Sequence, residues 1–110
     1  MLDEAEYRRL IQGTLDRIED AFENVDPDLA ECEQQFGALT IKLKNGARCI
    51  LSAQPSVRQL WMAVASRGAA FHFNYDPLKS EWRDDKGLGI EVTAYLRTYL
   101  QETVGLRLVI

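Results

Sequence analysis

Carboxylates are the side chains of this sequence whose number and spacing could do chemistry. The first thirty-three residues hold eleven of them: Asp3, Glu4, Glu6, Asp16, Glu19, Asp20, Glu23, Asp26, Asp28, Glu31 and Glu33. Only Arg8, Arg9 and Arg17 oppose them, which leaves this segment at −8. The other seventy-seven residues carry six acids and ten bases, a charge of +4, and the chain totals −4. A surface polarised in this way attracts hard cations or a basic partner and repels the phosphates of nucleic acid.

Four of the acids have a geometry worth working out. On an ideal helix with Asp16 at zero, Asp20 falls at about 40°, Glu23 at about −20° and Glu19 at about −60°. All four then share an arc of about 100°, opposite the apolar stripe of the same segment. None has a lysine or arginine four residues on; Asp16 is followed at that distance by Asp20, and Glu19 by Glu23. Like charges at this spacing destabilise a helix, and so do anions near its C-terminus. The arrangement is poor for stability, which favours a functional reading over a merely solvated face. Asp26, Asp28, Glu31 and Glu33 are expected to extend the ridge onto a first strand. Carboxylate oxygens suit hard ions. An open helix face cannot wrap one ion with six ligands, so binding there is expected to be weak, multiple and poorly selective.

A second constellation lies further on. Trp61 sits in Gln59-Leu60-Trp61-Met62, with Gln54 shortly before it. On a sheet covered on one side only, a tryptophan flanked by polar residues suits a protein contact, with a place in the core as the alternative. His72 is the only histidine and has no catalytic neighbour in sequence. No GxSxG, P-loop or GxGxxG occurs. Paired carboxylates on a convex helix do not make a cleft for acid–base work. No catalytic residue is therefore assigned. Cys32 and Cys49 lie seventeen apart without CxxC spacing or a nearby histidine, and are expected to be small buried or half-buried hydrophobes rather than zinc ligands or a disulfide.

The elements that must position these residues follow from periodicity and turn chemistry. Tyr7, Leu10, Ile11, Thr14, Leu15, Ile18, Ala21, Phe22 and Val25 recur at helical steps within an arc of about 140°. They predict a helix over residues 4 to 24, with Asp3 as N-cap and Asp26-Pro27-Asp28 as its stop. A short strand is expected over 29–33, with the turn out of it at 34–37. Leu39 to Lys44 alternates and leads into Asn45-Gly46, which predicts a type I′ turn and a return strand over 47–52. That register places Ile50 on the core face with Leu39, Ile41 and Leu43. Residues 59–65, 71–75 and 80–83 read as further strands. A second helix is expected over 89–103, facing the core with Val92, Leu96, Tyr99 and Leu100, and an apolar tail over 106–110 packing back.

With helices only at the two ends, the fold class is α+β. Two helices would pack on one face of a five- to six-stranded antiparallel sheet, in one domain spanning residues 1–110. At 110 residues, 46% apolar and 27% charged, the composition is that of a globular chain with one core. No apolar run reaches membrane-span length, and the acidic N-terminus resembles neither a signal nor a transit peptide. The chain is expected to be a complete cytoplasmic protein starting at its own Met1.

Nearly the whole chain resembles the frataxin family in its bacterial, CyaY-type form. The resemblance is carried by the acidic helix Tyr7…Ile18-Glu19-Asp20…Glu23, then Gly37-Ala38-Leu39-Thr40-Ile41 and Asn45-Gly46. Gln54, Gln59-Leu60-Trp61, Phe71-His72-Phe73 and Glu81-Trp82 follow in order. It implies a frataxin-like two-layer sandwich and an iron-binding, non-catalytic protein that regulates iron–sulfur cluster assembly through the cysteine desulfurase and its scaffold protein. Iron, ferrous or ferric, would be held weakly and several ions per chain. Carried over by position, the metal residues would be Glu19, Asp20, Glu23, Asp26 and Glu31, which Asp16 joins on geometry alone. Gln54, Trp61 and His72 would be partner contacts. No nucleic acid or membrane is implied, and the expected state is a monomer with iron-dependent oligomers. The sequence departs from the family pattern at Arg8 or Arg9, where a histidine is common, at Asn24, where an acid is common, and at Ser52 and Pro55. Residues 67–81 are longer than the pattern. The alternative is an acidic protein-interaction module in which metal binding is incidental.

Overall fold

The structure, a computed structural model, describes residues 2–110; the expectation that the chain begins at its own Met1 falls outside the described residues. Helix α1 (Glu4–Ala21) precedes six strands, β1 (Ala30–Gln35), β2 (Ala38–Leu43), β3 (Arg48–Gln54), β4 (Gln59–Val64), β5 (Ala69–Asp76) and β6 (Glu81–Asp84), and helix α2 (Val92–Val104) follows. The strands pair antiparallel in chain order, so the sheet is a meander with β1 and β6 at its edges. Both helices lie on one face, and the core fills the space between the layers. This is the expected architecture, with the sheet at the upper end of the expected strand number.

The apolar stripe of α1 is buried as its period requires: Tyr7, Ile11, Thr14, Leu15 and Ile18 all face the sheet. Asp3 caps the helix by accepting the Glu6 N–H at 2.8 Å. The helix ends three residues earlier than expected. The N–H groups of Phe22 and Glu23 donate to the carbonyls of Glu19 and Asp20, three residues back, and this tightened turn breaks the α repeat. Glu23 and Val25 therefore lie beyond the helix. At the other end of the chain, α2 begins at Val92 rather than 89. The Glu91 carboxylate caps it, accepting from the N–H groups of Thr93 and Ala94. Val92, Leu96, Tyr99 and Leu100 are buried as expected, and Gly105 closes the helix at φ 69°.

The β2–β3 connection corrects the register. Asn45 and Gly46 do not form a two-residue turn. Gly46 N–H donates to the Leu43 carbonyl at 2.9 Å, and Leu43 N–H donates to the Ala47 carbonyl at 2.9 Å. The loop is therefore Lys44-Asn45-Gly46, with positive φ only at Gly46. Asn45 turns its side chain to the Ala47 N–H instead. This is the three-residue hairpin, a type I turn closed by a left-handed glycine. One extra loop residue slides β3 by one position, and in a period-2 structure that exchanges its faces. Cys49 and Leu51 enter the core opposite Ile41 and Leu39, while Ile50 pairs with Thr40 on the outer face and is 41% exposed. The β1–β2 turn is the shorter one: Phe36 and Gly37 both have positive φ, so β1 runs on to Gln35.

Two buried polar contacts fix the layers against each other. Tyr7 Oη donates to the Gln59 carbonyl at 2.6 Å and accepts the Gln54 N–H at 2.9 Å, which anchors the start of α1 over the β3–β4 connection. Trp82 Nε1 donates to Thr14 Oγ1 at 2.9 Å, and Thr14 in turn donates to the Leu10 carbonyl. Trp82 is therefore core. The tail packs back through Leu106 and Leu108. Among the described residues no helix is long and apolar enough to cross a membrane.

Candidate functional site: an acidic groove and an outer sheet face

Asp16, Glu19 and Asp20 project from the last two turns of α1, Glu23 and Asp26 from the turns that follow, and Glu31 from β1. The ridge does not continue smoothly onto the strand. Ala30 and Cys32 point inward along β1, so Glu31 and Glu33 emerge on the opposite side, toward the outer face. The two acidic groups meet around the sheet edge. There a groove of about 670 Å³ is lined by Glu19, Asp20, Glu23, Glu31 and Glu33, with Phe22, Val25, Pro27, Ala30 and Cys32 among its apolar walls.

Among the described residues none of Asp16, Glu19, Asp20, Glu23, Asp26 or Glu31 forms an ion pair; Glu33 alone of the groove acids approaches a base, Lys42, at 3.6 Å. The partners that Asp16 and Glu19 do have are neutral amides. Gln12 Nε2 donates to Asp16 Oδ1 at 2.8 Å, and Gln34 Nε2 donates to Asp16 Oδ1 and Glu19 Oε1, each at 3.1 Å. Gln12 also donates to Gln34 Oε1 at 2.6 Å, tying α1 to β1. These bonds orient two carboxylates without cancelling their charge. Asp26 Oδ1 accepts the Asp28 N–H within its own turn. Both glutamines were missed in the sequence, where only basic residues were sought, and only at i+4. The Gln12–Asp16 spacing is itself a helix pair that could have been found.

No three of the histidine, cysteine, aspartate and glutamate side chains converge on a point that would hold a metal ion, among the described residues. The donor set is hard and anionic but open, which fits exchangeable cargo bound by one or two carboxylates at a time, with water completing the shell. Cys32 and Cys49 are free thiols, and burial pushes both up to about 12, with the Glu19 charge adding to the effect at Cys32. Neither supplies a thiolate at neutral pH.

The outer sheet face holds the other constellation. Ser52, Trp61 and His72 stand in one cross-strand row. Trp61 is half-buried on the solvent side, and its ring stacks on His72 with centroids 4.1 Å apart and planes 12° from parallel. Gln54 projects on the same face two residues past Ser52 and pairs with Gln59. Gln59 Oε1 accepts the Trp61 indole N–H at 2.8 Å. Its Nε2 donates to Asn74 Oδ1 and Asp85 Oδ2, both at 3.1 Å. Asp85 Oδ2 lies 3.8 Å from His72 Nδ1. Sequence reasoning chose Gln54, Trp61 and His72 and missed Gln59 and Asp85. Strand alternation puts Gln59 and Trp61 on one face, but nothing local brings Asp85 there.

Residues 1–106 match the family model of the frataxin-like domain. The chain is 42% identical over 84 residues to the iron-sulfur cluster assembly protein CyaY of Pseudomonas aeruginosa, covering 76% of this chain and 75% of that one. It is 41% identical over 85 residues to the protein of the same name from Pseudomonas fluorescens, covering 77% and 74%. Among solved structures, frataxin from Psychromonas ingrahamii superimposes with a TM-score of 0.85 at 20% identity, over 97% of this chain and 96% of that one. A trimeric frataxin from the yeast Saccharomyces cerevisiae, complexed with ferrous iron, gives 0.62 at 22% identity, over 96% and 89%.

Proposed function

The chain belongs to the frataxin family, and from that premise we propose that it serves iron–sulfur cluster assembly as an iron-binding regulator without catalytic turnover. It is read as one frataxin-like domain acting in the bacterial cytoplasm, as a monomer that iron can drive into oligomers. Fe(II) or Fe(III) docks weakly, several ions per chain, on Asp16, Glu19, Asp20, Glu23, Asp26 and Glu31. The same negative strip meets a basic surface of the cysteine desulfurase. Gln54, Trp61 and His72 contact the desulfurase–scaffold assembly from the outer sheet face.

One observation carries this reading: Glu19, Asp20, Glu23 and Glu31 line one groove, and none of them forms an ion pair of the chain's own. Open carboxylates exchange their ion readily, as a donor or sensor of iron requires. A chelating cage would hold it.

The test is an amide NMR titration with Fe(II) under argon. Signals of residues 16 to 31 should broaden before any others, and unchanged signals at several equivalents would remove the metal half of the proposal. A parallel assay follows sulfide release by desulfurase plus scaffold. Charge reversal at Glu19, Asp20 and Glu23 should abolish the effect of the added chain. If that effect persists unchanged with and without a chelator, the ridge serves a basic protein surface and iron is incidental. The open donor set suits that second reading as well.

A further inference from the structure

An indole on an open sheet face has several staggered rotamers, and freezing one of them costs entropy when a partner docks. Here the rotamer is already held. The Trp61 N–H can only donate, so Gln59 must turn its carbonyl oxygen to Trp61 and its NH₂ to the other side. On that other side are Asp85 and Asn74. Asp85 sits in the turn after β6, where its own N–H donates to the His72 carbonyl at 2.8 Å. Its carboxylate thus reaches both halves of the aromatic pair, the imidazole at 3.8 Å and the indole through Gln59. The turn has an anchor of its own: the Asp84 carboxylate accepts the N–H groups of Lys86, Leu88 and Ile90. Asp84, Asp85 and Lys86 are the charged groups that share a cavity of about 220 Å³ with His72.

We propose that Asp85 is a positioning residue for the outer face. It presets the Trp61–His72 pair for docking of the desulfurase–scaffold assembly, and so this inference rests on the function proposed above. Asp85 need not touch the partner. It lowers the entropy lost on docking by holding the pair in the bound arrangement beforehand.

The experiment reads the indole N–H signals of ¹⁵N-labelled protein. Trp61 and Trp82 are the only tryptophans, and Trp82, bonded to Thr14 in the core, is an internal control. Asp85→Ala should shift and broaden the Trp61 signal and leave that of Trp82 in place. Asp85→Asn, which keeps an acceptor but loses the charge, should fall between. Binding to the purified desulfurase–scaffold complex should weaken by roughly two- to tenfold in Asp85→Ala, the scale of ordering one side chain on docking. The double variant Trp61→Ala/Asp85→Ala should bind no more weakly than Trp61→Ala alone. An unmoved Trp61 signal in Asp85→Ala overturns the proposal whatever the partner does. Additive losses in the double variant overturn it too, by making Asp85 a direct contact. If Trp61→Ala binds like wild type, the outer-face reading of the function falls, and the docking half of this inference with it. If Trp61→Ala weakens binding and Asp85→Ala does not, only the positioning role falls.

Discussion

Thr14 is the one buried polar side chain of α1, and it closes a chain of two hydrogen bonds from the Trp82 indole to the Leu10 carbonyl. Removing the hydroxyl would leave a donor without a partner inside an apolar layer. Thr14→Val, nearly the same shape, should therefore cost about 1–3 kcal/mol in urea unfolding, although valine is the more hydrophobic residue. Asp84 makes a second residue-scale case. The N–H of Leu88, with help from those of Ile90 and Lys86, holds its carboxyl below the usual aspartate value. A group whose folded pKa is depressed stabilises the fold above its unfolded pKa, about 3.9, and loses that contribution as the pH falls through the folded value. Asp84→Asn should melt lower than wild type at neutral pH, and the gap should close below about pH 4. Melting curves from neutral to strongly acid solution check both halves. Neither bond could be found from sequence: Thr14 and Trp82 are sixty-eight residues apart, and the three donors of Asp84 exist only in the folded turn.

Among the elements, the β2–β3 hairpin decides most. Its loop length sets which residues of β3 face the helices, and the three-residue loop sends Cys49 and Leu51 inward. Leu51→Ala should cost roughly 2–5 kcal/mol, the usual range for a fully buried leucine. Ile50→Thr on the outer face should cost less than about 1 kcal/mol. Chemical denaturation of the pair tests the register directly, because a two-residue loop would reverse the ranking. Helix α1 shows the complementary case. Its stripe, its N-cap and its buried face were all legible in the sequence. The place of its end was not, because proline at 27 limits a helix without saying where it begins to tighten. Glu23 consequently leaves the helical arc and joins the groove from a turn.

At the scale of the molecule, unpaired acids gather around the groove at the β1 edge, while Asp3, Glu4 and Glu6 lie at the far end of α1. The unpaired acids repel one another through water, and screening shortens that reach to about 8 Å at physiological ionic strength. Raising the salt from low to physiological concentration should therefore raise the melting temperature. The variant Asp20→Asn/Glu23→Gln/Glu31→Gln should melt higher than wild type at low salt and respond less to added salt. Calorimetry across a salt series measures both. An equal salt response in the two proteins would mean that the strip carries no electrostatic strain.

Helix periods, caps, strand alternation and the imbalance of charge are properties of neighbouring residues, so the chain spells them out. The layer order follows from them, because two terminal amphipathic helices and a run of strands have one economical packing. Contacts between distant segments follow no such local rule. A single residue in a loop reversed the faces of β3, and pleating put Glu31 and Glu33 on the outer side of β1, so that they meet the acids of α1 only around the sheet edge. Gln34 reached Asp16 and Glu19, and Asp85 reached His72 and Gln59, only once register and loop geometry had brought them together. Short-range sterics determine the first set of features, and the packing of the whole determines the second.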